Sequence, residues 1–243
     1  MDRWYGKVAV VTGASSGIGA AIAAKLVEYG MQVVGLARRV ERVEEAAKTL
    51  TNLPGKLYAF KVDITQDSDI IAAFEWTENN LGPIHVLINN AGCTRRTNLI
   101  EGDAQMWRDI IGTNLIGVCV ATKEAVKSMR TNNIDGHIVH VNSVGGHRIL
   151  YFGNMYSPSK HALTCVTEIM RKELLEIGKI KVSSISPGIV DTEMLEKTYT
   201  KEQIELLPRL DPQDIVDGIV YILGTRPNVQ VHELIIKPIG EQV

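Results

Sequence analysis

Cysteine is scarce in this sequence, with Cys93, Cys119 and Cys165 as its three examples among 243 residues. Because they are odd in number and widely spaced, they argue against a disulfide framework and favour a reducing compartment. No Cys-x-x-Cys pair and no histidine cluster completes a zinc-binding pattern. We therefore expect a cytoplasmic protein that holds no metal ion.

An excess of charge is also missing, since 26 lysines and arginines face 28 aspartates and glutamates and leave a formal net charge of -2. Such a balance creates no global field toward nucleic acid or an anionic membrane, and it leaves room only for a local basic patch. No stretch approaches the ~20 apolar residues of a membrane span. The first apolar run, Val8 to Val11, is too short for a signal peptide. Neither nucleic acid nor a membrane is expected as a partner.

What the chain does contain is an alternation of short apolar runs with longer segments of helical period. The runs are continuous, which is typical of strands buried on both faces of a parallel sheet. Strands are predicted over 7–12, 32–37, 56–64, 85–89, 137–141, 181–185 and 229–236, and helices over 17–29, 41–50, 67–80, 103–129, 156–177 and 212–223. The pattern predicts one α/β domain over residues 1–243: a doubly wound Rossmann fold with a mainly parallel seven-stranded sheet and helices on both faces.

A glycine-rich turn, TGASSGIG at residues 12–19, joins the first predicted strand to the first predicted helix. Gly13 permits the tight turn, Gly17 lets the backbone approach a pyrophosphate, and Gly19 allows the helix to pack closely on the sheet. Free N–H groups at the start of the helix would bind phosphate. A purely structural turn is the alternative, but the position between strand and helix favours a nucleotide. The other turn residues expected at the nucleotide are Ser15, Ser16 and Ile18.

The end of the second predicted strand indicates which nucleotide is bound. A carboxylate there would bind the ribose 2′-hydroxyl of NAD, whereas an arginine accommodates the 2′-phosphate of NADP. The sequence has Arg38 and Arg39 at this point and no acidic residue before Glu41. The expected cofactor is therefore NADP(H). The alternative is that both arginines only begin a solvated helix.

Asp63 and Ile64 end the third predicted strand and are further candidates for the nucleotide site. The Asp63 carboxylate would accept a hydrogen bond from the adenine amino group. An equally good interpretation is that it caps the turn into Thr65. The sequence does not choose between the two.

Tyr156 and Lys160 are four residues apart and therefore share one face of the helix that they begin. A nearby cation favours a phenolate, so Lys160 would lower the pKa of Tyr156 from its ordinary value of about 10. Tyr156 would act as a general base toward an alcohol or as a general acid toward a carbonyl. Such a pair also occurs by chance on solvated helix faces. Because Pro158 cannot donate within a helical ladder, the helix must begin within about one turn before it.

Further motifs follow in order along the chain. They are Asn89-Asn90-Ala91-Gly92 after the fourth strand, Asn114 in the fourth helix, Ser143 at the end of the fifth strand, and Ser186-Pro187-Gly188 followed by Thr192. Together with the glycine turn and the Tyr156/Lys160 pair, they make the chain resemble the short-chain dehydrogenase/reductase family over essentially its whole length. The GxxxGxG spacing of the turn is also that family's pattern.

The resemblance implies roles for individual residues. Tyr156 would donate or accept the proton, Lys160 would lower its pKa and hold the nicotinamide ribose, and Ser143 would polarise the substrate oxygen. Asn114 would anchor a water relay behind Lys160. For both Asn90 and Asn114, the alternative role is to satisfy buried backbone groups. The cofactor contacts that the resemblance adds are Asn90, Ala91, Gly92, Pro187, Gly188, Ile189 and Thr192.

Two variable segments above the predicted crevice, about 144–155 and 191–210, would determine substrate specificity. Their large apolar residues favour a lipophilic alcohol or carbonyl over a sugar, and packing against the body or a partner subunit is the alternative. Those residues are Ile149, Leu150, Tyr151, Phe152, Met155, Met194, Leu195, Tyr199, Leu206 and Leu207. His147 and Arg148 are explained equally well as solvated loop residues. Cys93 is expected to line the pocket without acting as a nucleophile.

The segments Leu36 to Arg42 and Val231 to Pro238 look most like one branch of the family, which contains insect farnesol dehydrogenases and a vertebrate ketosteroid reductase. This resemblance implies an NADP(H)-dependent oxidoreductase acting on CH–OH groups of isoprenoid alcohols such as farnesol, steroids or related lipophilic carbonyls. One alternative is a catalytically idle protein that senses NADP or scaffolds a partner. Another is a reductase of small xenobiotic carbonyls.

The predicted helices 103–129 and 156–177 carry more apolar residues than one sheet face requires. The family resemblance implies that these helices pair across a two-fold axis, so a homodimer or homotetramer is expected. Their apolar residues include Trp107, Ile110, Ile111, Leu115, Val118, Leu163, Val166 and Ile169.

Overall fold

The structure, a computed structural model, describes residues 1–95, 98–150, 154–177 and 179–241, so the predicted loop residues Tyr151 and Phe152 lie outside the described residues. Seven strands are present in the described part. They are β1 (Val8–Thr12), β2 (Gln32–Ala37), β3 (Lys56–Lys61), β4 (Ile84–Asn89), β5 (His137–Val141), β6 (Lys181–Pro187) and β7 (Glu233–Ile236). They form one sheet in the order β3-β2-β1-β4-β5-β6-β7, in which all neighbours are parallel. The predicted doubly wound parallel sheet is confirmed.

Helices cover both faces of this sheet, as the continuous apolar runs predict. They are α1 (Gly17–Glu28), α2 (Val40–Thr49), α3 (Asp67–Leu81), α4 (Ala104–Ile111), α5 (Gly117–Thr131), α6 (Tyr156–Glu173), α7 (Lys201–Leu206) and α8 (Pro212–Gly224). Residues of β1 pack alternately into two hydrophobic clusters. Ala9 and Val11 join the cluster that includes α1 and α8, whereas Val8 and Val10 join the one that includes α3 and α5.

The outermost strands differ from the prediction of burial on both faces. In β3, Lys56 and Lys61 are exposed and the strand centre is half-buried, and β7 has no fully buried residue. The physical reason is position, because β3 and β7 are the edges of the sheet and have helix or strand cover on fewer sides. The expectation of full burial is therefore wrong for these two strands and correct for the central ones.

Some predicted boundaries are also wrong. The last strand begins at Glu233 rather than at residue 229. Before it, the Gln230 side chain takes the place of a backbone acceptor beside β6, because its Oε1 accepts from Val182 N at 3.0 Å. The third strand ends at Lys61 rather than at residue 64, since the chain turns at Asp63. Helix α6 ends at Glu173 rather than at residue 177.

The helix predicted over 103–129 is interrupted by a π-helical segment, Gly112–Ile116, between α4 and α5. Gly117 follows this segment, and a Cβ on it would overlap the backbone oxygen of Ile64. A π segment inserts an extra residue into the helical turn, and such insertions are frequent at functional sites. Asn114 lies at its centre and is fully buried.

The first residues of the chain pack against α8 and are hydrogen-bonded to it. A short 3₁₀ helix, Asp2–Trp4, precedes β1 and carries the buried Trp4 side chain. The indole Nε1 of Trp4 donates to the backbone oxygen of Leu223 in α8 at 2.9 Å, and Arg3 Nη2 donates to the same oxygen at 3.1 Å. The start of the chain is thereby held against the last helix.

None of the helices in the described ranges has the length and apolar character that crossing a membrane requires. Nor do any three His, Cys, Asp or Glu side chains of the described part gather in a way that could hold a metal ion. All three cysteines are free thiols; Cys93 and Cys119 are half-buried and Cys165 is exposed.

Two histidines of β5, His137 and His140, are fully buried. His137 has its Nε2 2.9 Å from Ser183 Oγ, and His140 has its Nδ1 2.8 Å from Thr167 Oγ1. Burial lowers the pKa of each imidazole to about 3, with smaller contributions from nearby cations, Lys181 and Arg3 for His137 and Arg171 and Lys160 for His140.

In the unfolded chain these two side chains bind protons once the pH falls below about 6.5, the ordinary pKa of histidine. In the folded chain they stay neutral until the pH approaches 3. We therefore expect these histidines not to reduce the free energy of unfolding above pH 6.5. Between pH 6.5 and 3 they should reduce it by up to ~1.4 kcal/mol per pH unit for each histidine. Urea unfolding of His140→Gln between pH 7 and 5 should show a shallower slope than the wild type. The exposed His232 supplies the control, His232→Gln, and equal slopes for all three proteins would contradict the prediction.

Candidate active site

The candidate active site is a groove of about 590 Å³ at the carboxyl ends of the strands. It includes the ends of β1 and β4, which are neighbours at the point where the strand order reverses and doubly wound sheets bind ligands. The structure brings all predicted site residues except Asn114 into its wall. They are Gly13, Ser15, Ser16, Gly17, Ile18, Gly19, Arg38, Arg39, Asp63, Ile64, Asn90, Ala91, Gly92, Ser143, Tyr156, Lys160, Pro187, Gly188, Ile189 and Thr192.

The three glycine positions of the turn are packed too tightly for side chains. Gly13 and Gly17 have positive φ angles of +69° and +54°, which glycine adopts readily. A Cβ on Gly13 would lie 2.9 Å from Ala91 Cα, and a Cβ on Gly19 would overlap the Asn90 side-chain amide. Helix α1 begins at Gly17, so its unpaired N–H groups lie at the groove. The glycines are thus required by the local packing, which also leaves the backbone accessible.

Asn90 holds the ends of β1 and β4 together. Its Nδ2 donates to the backbone oxygens of Thr12 at 3.0 Å and Gly13 at 3.3 Å. The backbone N–H groups of Asn90 and Ala91 donate to Thr12 Oγ1 at 3.0 and 2.9 Å. The alternative role for Asn90, satisfying backbone groups, is therefore confirmed. Thr12 is a supporting residue that the sequence analysis did not identify.

The two arginines at the end of β2 have different surroundings. Arg39 Nη2 donates to Ser16 Oγ of the glycine turn at 3.0 Å, and its Nη1 lies 2.9 Å from a carboxylate oxygen of Glu193. Arg38 is exposed and acts electrostatically on Asp63. Arg39 is also the N-cap residue that directly precedes α2. The alternative of a helix start therefore describes its backbone, while its side chain lines the groove.

Asp63 caps its own turn. Its Oδ1 accepts from the backbone N of Thr65 at 3.0 Å and from Thr65 Oγ1 at 2.8 Å. Burial alone would raise the pKa of Asp63, but these hydrogen bonds and the charge of Arg38 outweigh it, and the pKa is lowered. The carboxylate is thus ionised, and it also lines the groove, so the capping role is confirmed without excluding a second contact.

Ser143, Tyr156 and Lys160 meet in the groove. The Ser143 hydroxyl is hydrogen-bonded to the Tyr156 phenol, and its oxygen also accepts from Gly145 N at 3.0 Å. Lys160 Nζ donates to the backbone oxygen of Val141 at 2.9 Å and lies 5.8 Å from the centre of the Tyr156 ring. Two separate parts of the chain, the end of β5 with the turn that follows it and the start of α6, therefore converge on one point.

The electrostatics of this point differ from the prediction that Lys160 lowers the pKa of Tyr156. Burial raises the pKa of the Tyr156 phenol, the Cys93 thiol adds to that rise, and the Ser143 hydrogen bond opposes it only in part. Burial also lowers the pKa of Lys160 to about 8. With only the protein's own groups present, the prediction of a lowered Tyr156 pKa is wrong, because burial of the phenol has the largest effect on that pKa.

Pro158 is accommodated as predicted. Helix α6 begins at Tyr156, so Pro158 is the third residue of its first turn, where no intrahelical N–H donor is needed. The Asn154 side chain caps this start, with Oδ1 accepting from the backbone N of Met155 at 2.5 Å and of Tyr156 at 3.3 Å. The proline thus leaves the relative positions of Tyr156 and Lys160 undisturbed.

Asn114 lies behind the groove rather than in its wall. Its Oδ1 accepts from Cys93 N at 2.8 Å, and its Nδ2 donates to Cys93 O and to Ser159 Oγ, both at 3.0 Å. Ser159 in turn donates to the backbone oxygen of Tyr156 at 2.6 Å. Asn114 therefore connects the π segment to the start of α6, and both of its amide hydrogens are used within the protein.

The segments above the groove contribute fewer residues than predicted. Leu150, Met194, Leu195 and Tyr199 line the groove, and Cys93 does so as predicted. The other predicted apolar residues with described positions do not line it; they are Ile149, Met155, Leu206 and Leu207. Their side chains are wholly or partly solvent-accessible because they lie on the outer side of these segments. The prediction is thus correct for only part of each segment.

His147 and Arg148 lie outside the groove wall. His147 Nε2 is 3.0 Å from Ser186 Oγ and 3.7 Å from a carboxylate oxygen of Glu233, so its side chain points toward β6 and β7. Arg148 is exposed. The structure favours a packing role for His147 and solvation for Arg148.

Two acidic groove residues were missed by the sequence analysis. Glu193 directly follows the predicted Thr192, and that adjacency was the available signal. Glu241 is 52 residues from Ile189, yet its Oε2 accepts from Ile189 N at 3.3 Å, and a Cβ on Gly188 would overlap its carboxylate. No local pattern connects residues so far apart, so Glu241 could not have been found from spacing.

Comparison with known proteins gives consistent matches over most of the chain. The family model described as short chain dehydrogenase matches residues 7–203. A farnesol dehydrogenase from Aedes aegypti is 50% identical, and a dehydrogenase/reductase SDR family member 11 from Mus musculus is 38% identical; each alignment covers 100% of this chain, and 100% and 98% of the relative. An alcohol dehydrogenase from Thermococcus sibiricus, solved with 5-hydroxy-NADP, has a TM-score of 0.87 at 26% identity, covering 98% of both chains.

Proposed function

The chain belongs to the short-chain dehydrogenase family of oxidoreductases, and from this premise we propose that it is an NADP(H)-dependent enzyme that transfers hydride between nicotinamide and a lipophilic alcohol or carbonyl compound. The observation that carries the proposal is the convergence of Ser143, Tyr156 and Lys160 in the groove that also holds the glycine turn and Arg39. On this proposal, residues 1–243 form one cofactor-binding domain, with substrate specificity determined by segments 144–155 and 191–210.

The chemistry of the groove fits an NADP(H) molecule. Gly13 and Gly17 place no side chain of their own at the start of α1, where a pyrophosphate would receive backbone N–H donors. Arg39 and Ser16 offer a guanidinium and a hydroxyl to the 2′-phosphate, with Arg38 beside them. The remaining residues proposed for the adenine, ribose and nicotinamide parts are Ser15, Ile18, Gly19, Asp63, Ile64, Asn90, Ala91, Gly92, Tyr156, Lys160, Pro187, Gly188, Ile189 and Thr192.

Bound nicotinamide would supply or accept the hydride. Tyr156 would donate its phenolic proton to the carbonyl oxygen during reduction and take it back from the alcohol during oxidation. Because the pKa of Tyr156 is raised above its ordinary value, the phenol is protonated at neutral pH and is ready to act as a general acid. The Ser143 hydroxyl would donate a hydrogen bond to the same substrate oxygen.

Lys160 would hold the ribose beside the nicotinamide. With a pKa of about 8 its ammonium group is mostly charged at neutral pH, and it loses that charge as the pH rises past 8. Asn114 would act as a positioning residue, since it connects Cys93 and Ser159 at the start of α6. The water relay behind Lys160 stays a prediction.

The substrate class follows from the upper wall and from the relatives. Leu150, Met194 and Leu195 give that wall an apolar character. The similarity to a farnesol dehydrogenase favours an isoprenoid alcohol, a steroid or a related lipophilic carbonyl compound.

The test is to incubate the purified protein with NADP⁺ and farnesol, steroid alcohols or small secondary alcohols, and with NADPH and the corresponding carbonyl compounds. We expect turnover of the large lipophilic substrates at rates above those of the small ones. Turnover restricted to sugars or acyl thioesters would contradict the substrate class, and turnover restricted to small carbonyls would favour a xenobiotic reductase. Tight NADPH binding without any turnover would favour an idle sensor or scaffold.

We further propose that the protein is a homodimer or homotetramer that assembles through α4, α5 and α6. Of the predicted apolar residues on these helices, Ile110, Val118 and Leu163 are buried within the chain, whereas Ile169 is 46% exposed. Ile116, in the π segment, is 50% exposed. Trp107 Nε1 is buried with no hydrogen-bond partner among the described residues. Sedimentation should give twice or four times the mass of the 26.7 kDa chain, and a monomer at micromolar concentration would contradict this.

Cytoplasmic location stays a prediction.

A further inference from the structure

Glu193 occupies a position between Arg39, just after β2, and Arg42, in the first turn of α2. Its Oε2 lies 2.9 Å from Arg39 Nη1, and its Oε1 lies 2.5 Å from Arg42 Nη1. Each carboxylate oxygen is therefore paired with a different guanidinium. Arg42 lies in α2, whereas Glu193 comes from the segment after β6, so the contact joins parts of the chain that are 151 and 154 residues apart.

The same cluster includes the glycine turn. Arg39 uses its second amino group, Nη2, to donate to Ser16 Oγ at 3.0 Å. Arg39 and Arg42 thus hold one anion between two guanidiniums, and the Ser16 hydroxyl is hydrogen-bonded to Arg39 beside it; guanidiniums and a hydroxyl are groups that bind phosphate well. In this structure the anion is the Glu193 carboxylate.

Glu193 also lies on a segment whose ends are fixed together. Asp191 N donates to Leu210 O at 2.9 Å, and Leu210 N donates to Ile189 O at 2.8 Å, so residues 191–210 leave and rejoin the body at one point. Near its start, the contact of Glu193 with Arg39 and Arg42 ties this segment to α2. Met194, Leu195 and Tyr199, which line the upper groove, follow within six residues of Glu193.

We propose that Glu193 competes with the 2′-phosphate of NADP(H) for Arg39, and that this residue thereby limits how strongly the protein prefers NADP(H) to NAD(H). This inference rests on the proposed NADP(H)-dependent function. A 2′-phosphate carries more charge and more acceptor oxygens than a carboxylate, so it wins the competition, but it must first release Glu193 from Arg39. NAD(H) lacks the 2′-phosphate, so its binding does not require Glu193 to leave Arg39.

The size of the effect follows from exposure. The side chains of Arg39, Arg42 and Glu193 are 43%, 46% and 43% exposed, so the ion pairs are well screened by solvent. Exposed pairs of this kind change an equilibrium by a factor of about five or less. Glu193 is therefore expected to weaken binding of a 2′-phosphate by about fivefold at low salt, and by less as the salt concentration rises.

The experiment compares two probes that contain only the adenosine half of the cofactor. Adenosine 2′,5′-bisphosphate carries the 2′-phosphate and AMP lacks it. Calorimetric titration of the wild type and of Glu193→Gln should show about fivefold tighter binding of the bisphosphate to the variant, with AMP binding unchanged. Glu196→Gln is the matched control, because Glu196 lies on the same segment, is exposed and does not line the groove.

The outcomes separate this inference from the function on which it rests. If the wild type binds the bisphosphate more tightly than AMP, but Glu193→Gln binds it no better than the wild type does, the competition is refuted and the cofactor preference stands. If Glu196→Gln gives the same gain as Glu193→Gln, a general charge effect replaces the specific one. Equal binding of both probes to the wild type would overturn the NADP(H) preference itself.

Discussion

Tyr156→Phe is expected to lower turnover by about 10²–10⁴-fold, the usual contribution of a positioned general acid or base. The substitution removes the phenolic oxygen and keeps the aromatic ring, so the packing at the start of α6 should persist. NADPH affinity should change little, because the glycine turn, Arg39 and Lys160 keep the groups proposed to hold the cofactor. The measurement is steady-state turnover with the best substrate of the panel, together with NADPH binding followed by fluorescence.

Tyr221→Phe provides the control for this experiment. Tyr221 is 62% exposed on α8 and does not line the groove, so losing its hydroxyl should leave both turnover and binding unchanged. Unchanged turnover in Tyr156→Phe would refute the assigned mechanism. A parallel loss of turnover and NADPH binding would instead point to a disturbed groove rather than to a missing proton donor.

Arg39→Gln is expected to weaken NADPH binding by about 10- to 100-fold, because a charge-assisted hydrogen bond to an ionised group contributes about 1.5–3 kcal/mol. NADH binding should change little, since NADH has no 2′-phosphate for this guanidinium to bind. The preference for NADPH would therefore fall by the same factor. Dissociation constants for both reduced cofactors, measured on the same preparation, give this ratio directly.

Arg226→Gln is a suitable control for the arginine variant. Arg226 is exposed, and its backbone oxygen accepts from Lys181 Nζ at the amino end of β6. The groove lies at the opposite, carboxyl ends of the strands. Its replacement should alter neither dissociation constant. If Arg39→Gln weakened NADPH and NADH binding equally, Arg39 would be a general structural residue of the groove, and the 2′-phosphate assignment would be wrong.

The fold and most of the groove could be predicted because their signals are local. A continuous apolar run such as the one in β1 indicates a strand buried on both faces, and the glycines at 13, 17 and 19 indicate a turn without room for side chains. The four-residue spacing of Tyr156 and Lys160 likewise follows from helical geometry alone.

What the sequence did not reveal depends on contacts between distant segments or on solvation. The contact between Glu241 and Ile189 is an example, as is the pairing of Glu193 with Arg39. The pKa of Tyr156 depends on how completely the groove walls exclude water, and spacing carries no information about that. The π segment at Gly112–Ile116 has the apolar pattern of an ordinary helix, so periodicity cannot distinguish the two.

The hydrogen bond from Trp4 to Leu223 has a consequence for the order in which the chain folds. The two residues are 219 positions apart, so the contact closes almost the whole polypeptide into a single loop. The entropy lost on closing a loop increases with its length, and contacts of such long range are reached only after the intervening strands and helices have come together. The fluorescence of the Trp4 indole therefore reports the completion of the fold rather than the formation of any one element.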